Sequence, residues 1–206
     1  MRPRMVKLLY TLLVITCPIS NGLHLDVPYI LTMIQELADY EKASSSVHAT
    51  EQSLEQTLCL APHANAAPSG PGYAKTLILR LPASEGATVA GMALYFNNYS
   101  TWRAAPGVYL EDLFVREPYR KRGYGTLLIK ALAKEVKRIG GARLEWCCLR
   151  WNESSLKFYR SLGAQEMHDW ITLRADGEAL DRLARDADAA PVHVNVGPAE
   201  ANGHSV

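Results

Sequence analysis

Cysteine is scarce in these 206 residues. There are four, Cys17, Cys59, Cys147 and Cys148, none at a metal-ligand spacing, so neither a zinc site nor a legible disulfide framework is expected. Charge of one sign is not in excess either. A formal net charge of +1 removes any reason for general attraction to nucleic acid, so anion binding has to be local. No apolar run is long enough to cross a bilayer as a helix. There is no G-x-x-x-x-G-K-[ST] loop and no G-x-G-x-x-G, which disfavours a Walker-type nucleotide site and a dinucleotide fold. Internal repeats are missing as well.

What remains is a globular composition, 48% hydrophobic and 21% charged, with length for one domain. The cysteines are expected to be reduced, buried thiols, with Cys147 and Cys148 on opposite faces of a strand. The chain starts with basic residues and a short apolar run at 8–15, which suits either a secretory signal or a first strand. Asp26 as N-cap, with Ile30, Met33, Ile34 and Leu37 at helical spacing, predicts an amphipathic helix to about Lys42. A shorter helix is expected over 50–60, followed by a Pro/Gly/Ala-rich loop. Strands are expected over 73–81, 88–97 and 108–115, as an antiparallel meander. Next come a helix ending at Gly140 and Gly141, a strand over 142–149, a helix over 152–163, a strand over 170–176 and a short amphipathic helix. Such an order implies a mixed α/β sheet with one crossover. The expected divisions are an atypical segment over 1–22, a domain over 23–186 and a disordered tail over 187–206.

The densest chemistry lies in "REPYRKRGYG", residues 116–125. A strand, then a glycine-spaced basic loop, then a helix start is an anion-binding arrangement, because the first N–H groups of the helix converge there. Arg120, Lys121 and Arg122 would supply charge, and Gly123 and Gly125 would remove side chains from the path of a pyrophosphate. The pattern Arg120-x-x-Gly123-x-Gly125, followed by "WNESSLKFYRSLGA", resembles the cofactor motifs of the GNAT N-acetyltransferases. "VYLEDLFVREPYRKRGYG", "RLEWCCLRWNESSLKFYRSLGA" and "ELADYEK" resemble the spermidine/spermine and thialysine acetyltransferase branch, over residues 26–184.

The resemblance implies an α/β GNAT fold, its mixed sheet splayed between strands 4 and 5 and flanked by helices. It also implies acetyl-CoA as cosubstrate, with no metal, nucleic acid or membrane. Cofactor contacts would come from Leu113, Phe114, Val115, Arg120, Lys121, Arg122, Gly123, Tyr124, Gly125, Thr126, Asn152, Ser155 and Tyr159. Of these, the N–H groups of Leu113, Phe114 and Val115 would face the oxyanion, and Asn152 the pantetheine arm.

Moving an acetyl group from thioester to amine requires a deprotonated amine and a proton for the departing thiolate, whose free pKa values are about 10.4 and 8.5. By resemblance Tyr159 is the general acid, and Glu111 binds the amine or acts as its base through water. Strict alternation along a strand would let only one of Glu111 and Asp112 face the cleft. Tyr40, Glu41, Trp102, Glu111 and Glu145 would line an acidic, aromatic amine groove. Ser100 stands where spermine-acting relatives carry Asp, favouring a shorter amine, and Ser154 where relatives often carry Pro. The expected activity is direct transfer to a small diamine-like or thialysine-like amine. A protein N-terminal or lysine acetyltransferase and a silent CoA-binding module are the alternatives. Relatives are commonly homodimers, and dependence on acetyl-CoA favours a cytoplasmic location over secretion.

Overall fold

The structure, a computed structural model, describes residues 19–63 and 65–189; the apolar run at 8–15, Cys17 and the tail beyond 189 lie outside them. Within the unit Met1–Leu162 the sheet has five strands in sequence order. They are β1 (Ile19–Asn21), β2 (Lys75–Arg80), β3 (Val89–Ser100), β4 (Ala105–Val115) and β5 (Leu144–Trp146). The first three ladders are antiparallel and β4–β5 is parallel, as short turns and one helical crossover dictate. The first described strand is therefore Ile19–Asn21, inside the segment expected to be atypical.

Helix α1 (Val27–Tyr40) buries Val27, Ile30 and Met33 on one sheet face, with Met92 and Phe114. Asp26 does not cap it. The residue is helical, in a 3-10 turn, and its fully buried carboxylate pairs with Arg80 of β2 and accepts the N–H of Leu23. Helix α2 (Glu51–Thr57) is capped by Thr50, whose Oγ1 accepts the Ser53 N–H at 3.1 Å.

The opposite face carries α3 (Tyr124–Arg138). Leu128, Leu132 and Val136 recur every fourth residue and pack on Val108 and Leu110. Truncating Leu132, which is fully buried, would cost about 2–5 kcal/mol. Helix α4 (Glu153–Ser161) is capped by Asn152.

Two features of β4 position the site. The β4–β5 ladder pairs Val108, Tyr109 and Leu110 with Leu144, Glu145 and Trp146 and then stops, so the strands part beyond Leu110. In the β3–β4 ladder Leu94 faces Asp112 while Tyr95 faces Leu110. Glu111 is thus the extra residue of a β-bulge, and strict alternation breaks there.

In the unit Gly163–Val206, the expected strand at 170–176 does not form. Trp170, Ile171 and Leu173 do alternate with polar residues, but a strand needs a neighbour and the described residues of this unit supply none. Those three side chains are 64%, 75% and 83% exposed. Helix α5 (Gly177–Ala189) runs past the expected boundary at 187.

Candidate active site

The loop between β4 and α3 builds the first half of the site. Gly123 sits in the left-handed region at φ 80°, with open space where a side chain would begin, and delivers the chain into α3. The free N–H groups of the first turn of α3 and its dipole suit a phosphate group. Gly125 has a different task from the one expected. A Cβ there would meet the Phe158 ring at 3.3 Å, so this glycine lets α3 and α4 approach rather than clearing a path for phosphate.

The basic side chains of this loop are largely occupied within the protein. Arg116 donates to Glu36 at 3.0 Å and to the Val89 carbonyl at 3.1 Å, tying α1 to β3. The Nε of Arg120 donates to the Val115 carbonyl at 2.9 Å, and its guanidinium lies 5.4 and 5.6 Å from the Tyr40 and Phe114 ring centres. Arg122 pairs with Glu85 at 3.0 Å, an exposed contact that a phosphate could displace at little cost. Lys121, at φ 64°, is exposed. The cradle therefore depends on the helix start and Gly123 more than on the arginines.

Tyr40 joins the two halves of the site. Its hydroxyl donates to Asn152 Oδ1 at 3.2 Å, and its ring lies 5.9 Å from that of Trp151. Asn152 is buried and its Oδ1 also accepts the Ser155 N–H at 3.2 Å, so only its amide N–H groups remain for a ligand. Tyr40, expected in the amine groove, instead braces the cofactor loop against the start of α4. A cavity of about 760 Å³ opens beside it, lined by Glu36, Tyr40, Phe114, Arg116 and Arg120 among others; neither Asp112 nor Tyr159 reaches it.

The second half is acidic. Glu41 and Asp112 line a cavity of about 150 Å³ walled by Ile34, Leu37 and Val47. Burial pushes the Asp112 carboxyl up to about 6, helped by the charges of Glu111 and Glu41; burial raises Glu41 as well. Asp112 is the residue that sequence reasoning left out of the site, because alternation seemed to force a choice between it and Glu111. The bulge removes that choice.

Tyr159 lies on α4 with its ring 5.0 Å from that of Trp146 and 5.2 Å from that of Phe158. Burial first, then the nearby charges of Cys148 and Glu41, holds its phenol well above the usual range. It is a proton donor at any working pH. Together with Glu111, Asp112 and Glu41, it stands where β4 and β5 separate. The β4 edge that would face β5, carrying Leu113, Phe114 and Val115, has no strand partner on that side among the described residues.

Two expected groove residues stand apart from this cluster. Trp102 is 91% exposed in the turn after β3. Glu145 is engaged by the Asn98 amide at 2.7 Å and by Arg143, whose Nε lies at 2.7 Å as a charge contact rather than an aligned hydrogen bond. The adjacent cysteines also differ from expectation. They follow β5 instead of lying in it, Cys147 is exposed, and Cys148 is half-buried, whereas Cys59 is buried. The Tyr109 hydroxyl donates to Cys147 Sγ at 3.0 Å. No group of side chains suited to a metal ion occurs among the described residues.

Known proteins share this arrangement. Residues 40–164 match the acetyltransferase (GNAT) family model. The chain is 32% identical over 190 residues to an L-ornithine N5-acetyltransferase from Arabidopsis thaliana, covering 77% of this chain and 83% of that protein. It is 35% identical over 161 residues to a thialysine N-epsilon-acetyltransferase from Mus musculus, covering 75% and 89%. An integron cassette protein structure from V. cholerae superposes with a TM-score of 0.64 at 26% identity, covering 82% of this chain and 97% of that one. A splayed mixed sheet, a glycine-entered helix at its opening and a buried tyrosine on the next helix thus have relatives with named chemistry, and the chain belongs to the GNAT family as an acyl-CoA-dependent N-acetyltransferase.

Proposed function

We propose that the chain transfers the acetyl group of acetyl-CoA directly to a primary amine of a small diamine-like, polyamine-like or thialysine-like substrate. The observation that carries this is the convergence of Glu41, Glu111 and Asp112 with the Tyr159 hydroxyl at the mouth of the splay. Three carboxylates on one small cavity suit a flexible cation with more than one ammonium group. Relatives named for ornithine and thialysine support an amine of that size.

The cofactor supplies an activated acetyl thioester, and the rest of the work falls to the protein. The first turn of α3 and Gly123 would hold its pyrophosphate, with Tyr124, Thr126 and Lys121 beside it, and the amide N–H of Asn152 would face its arm near Ser155. The N–H groups of Leu113, Phe114 and Val115 would meet charge developing on the carbonyl oxygen. Glu111, exposed and bulged out of the ladder, is placed to take the amine proton through water, while Asp112 and Glu41 hold the remaining ammonium. Tyr159 would give its proton to the departing sulfur; the dry surroundings that raise the phenol also raise the proton affinity of that sulfur.

Thiol release from acetyl-CoA, measured with putrescine, spermidine, ornithine, thialysine, lysine and an N-terminal peptide, tests this. Turnover is expected with the small amines. Turnover on the peptide alone would overturn the small-amine assignment, and CoA binding without turnover on any amine would identify a silent module.

A further inference from the structure

We propose that Cys148 captures the pantetheine thiol of CoA as a mixed disulfide, so that the cofactor cradle also serves as a thiol-sensitive lock. This rests on the cofactor site proposed above. Trp146, the last residue of β5, stacks on Tyr159 with ring centres 5.0 Å apart. Cys148 follows two residues later, at the point where β4 and β5 have parted. The next turn is fixed, since the Asn152 N–H donates to the Leu149 carbonyl at 2.9 Å and Asn152 caps α4. Cys148 Sγ lies 3.7 Å from that same carbonyl. Its neighbour is directed elsewhere: Cys147 Sγ accepts the Tyr109 hydroxyl at 3.0 Å. The Tyr159 phenol also responds to charge on Cys148, which sets the two side chains within electrostatic reach.

If Tyr159 hands its proton to the cofactor sulfur, that sulfur lies within the same small space as Cys148. CoA disulfide, seated by one of its two nucleotide halves, then presents its S–S bond to the Cys148 thiolate. Attack forms a Cys148–CoA bond and breaks the CoA–CoA bond. The second CoA leaves as a thiolate and takes up the proton that Cys148 released, so one disulfide is exchanged for another and no further oxidant is consumed. The tethered nucleotide fills the cradle and excludes acetyl-CoA until a thiol reductant releases it.

The full chain is incubated in parallel with CoA disulfide and with oxidised glutathione, and adducts are followed by intact-mass and peptide-level mass spectrometry. A single CoA adduct on Cys148 is expected, forming at least about tenfold faster than the glutathione adduct because the cradle raises the effective concentration. Dithiothreitol reverses it, Cys147→Ser retains it, and Cys148→Ser loses it while still binding CoA by calorimetry. Equal rates with both disulfides, or a CoA adduct on Cys147 or Cys59 instead, would overturn the proposal. CoA binding by calorimetry without any adduct would overturn the capture alone. No CoA binding by the unmodified chain would overturn the cofactor site and the capture with it.

Discussion

Tyr159 and Asp112 carry the sharpest consequences of single side chains. Tyr159→Phe removes the hydroxyl and keeps the ring that packs on Trp146 and Phe158. Steady-state kinetics should show kcat lower by about 10²–10⁴-fold with the KM for acetyl-CoA unchanged; unchanged turnover would remove the phenol from proton transfer. Asp112 has its carboxyl raised to about 6, above its ordinary value near 4. The folded state therefore binds its proton more tightly than the unfolded chain, so this residue favours folding at low pH. That contribution is lost as pH climbs from about 4 through about 6. Asp112→Asn, neutral throughout, should raise stability above pH 6 by about 1–3 kcal/mol and leave it little changed near pH 4, in thermal melts across that range. The same substitution should raise the KM for a diamine, because a bound ammonium group loses its partner. Stability gained and affinity lost together would separate this residue from a purely structural acid.

At the scale of elements, the β4–α3 loop and α4 were legible because their signals are local. Gly123 and Gly125 flank a helix start, and Asn152 announces a cap. The different duties of the two glycines were not legible, since one depends on φ and the other on a ring from a distant helix. They separate experimentally. Gly123→Ala meets no steric neighbour but forces a side chain into the left-handed region, at about 1–2 kcal/mol, and should weaken CoA binding. Gly125→Ala presses on Phe158, and the double variant with Phe158→Leu should recover much of the lost melting temperature. No recovery would show that the crowding at Gly125 lies elsewhere. The bulge at Glu111 was hidden for a related reason: it exists only in the pairing of β4 with β3, so "LED" read alone implied alternation. Residues 170–176 mislead in the opposite direction. Their apolar alternation is real, and what they lack is a partner strand within the described residues of their unit.

At the scale of the whole molecule, exposed Trp170, Ile171 and Leu173 form a larger apolar surface than a monomeric protein ordinarily shows to water. Association of two copies is the expected outcome. Light scattering should give a dimer mass that falls toward the monomer for Trp170→Ser/Leu173→Ser; a monomer before substitution would refute this. The helix start, the splay and the three carboxylates all hang on β4, and Glu111 is what offsets one part of that strand from the other. Losing a single codon at this position would therefore do more than remove an acid. It would draw the two halves of β4 back into phase, so that Val108 and Leu110, now under α3, could keep their places only by turning Asp112 and Phe114 to the wrong side. In-frame deletion, ordinarily gentler than a frameshift, would here act as one in three dimensions.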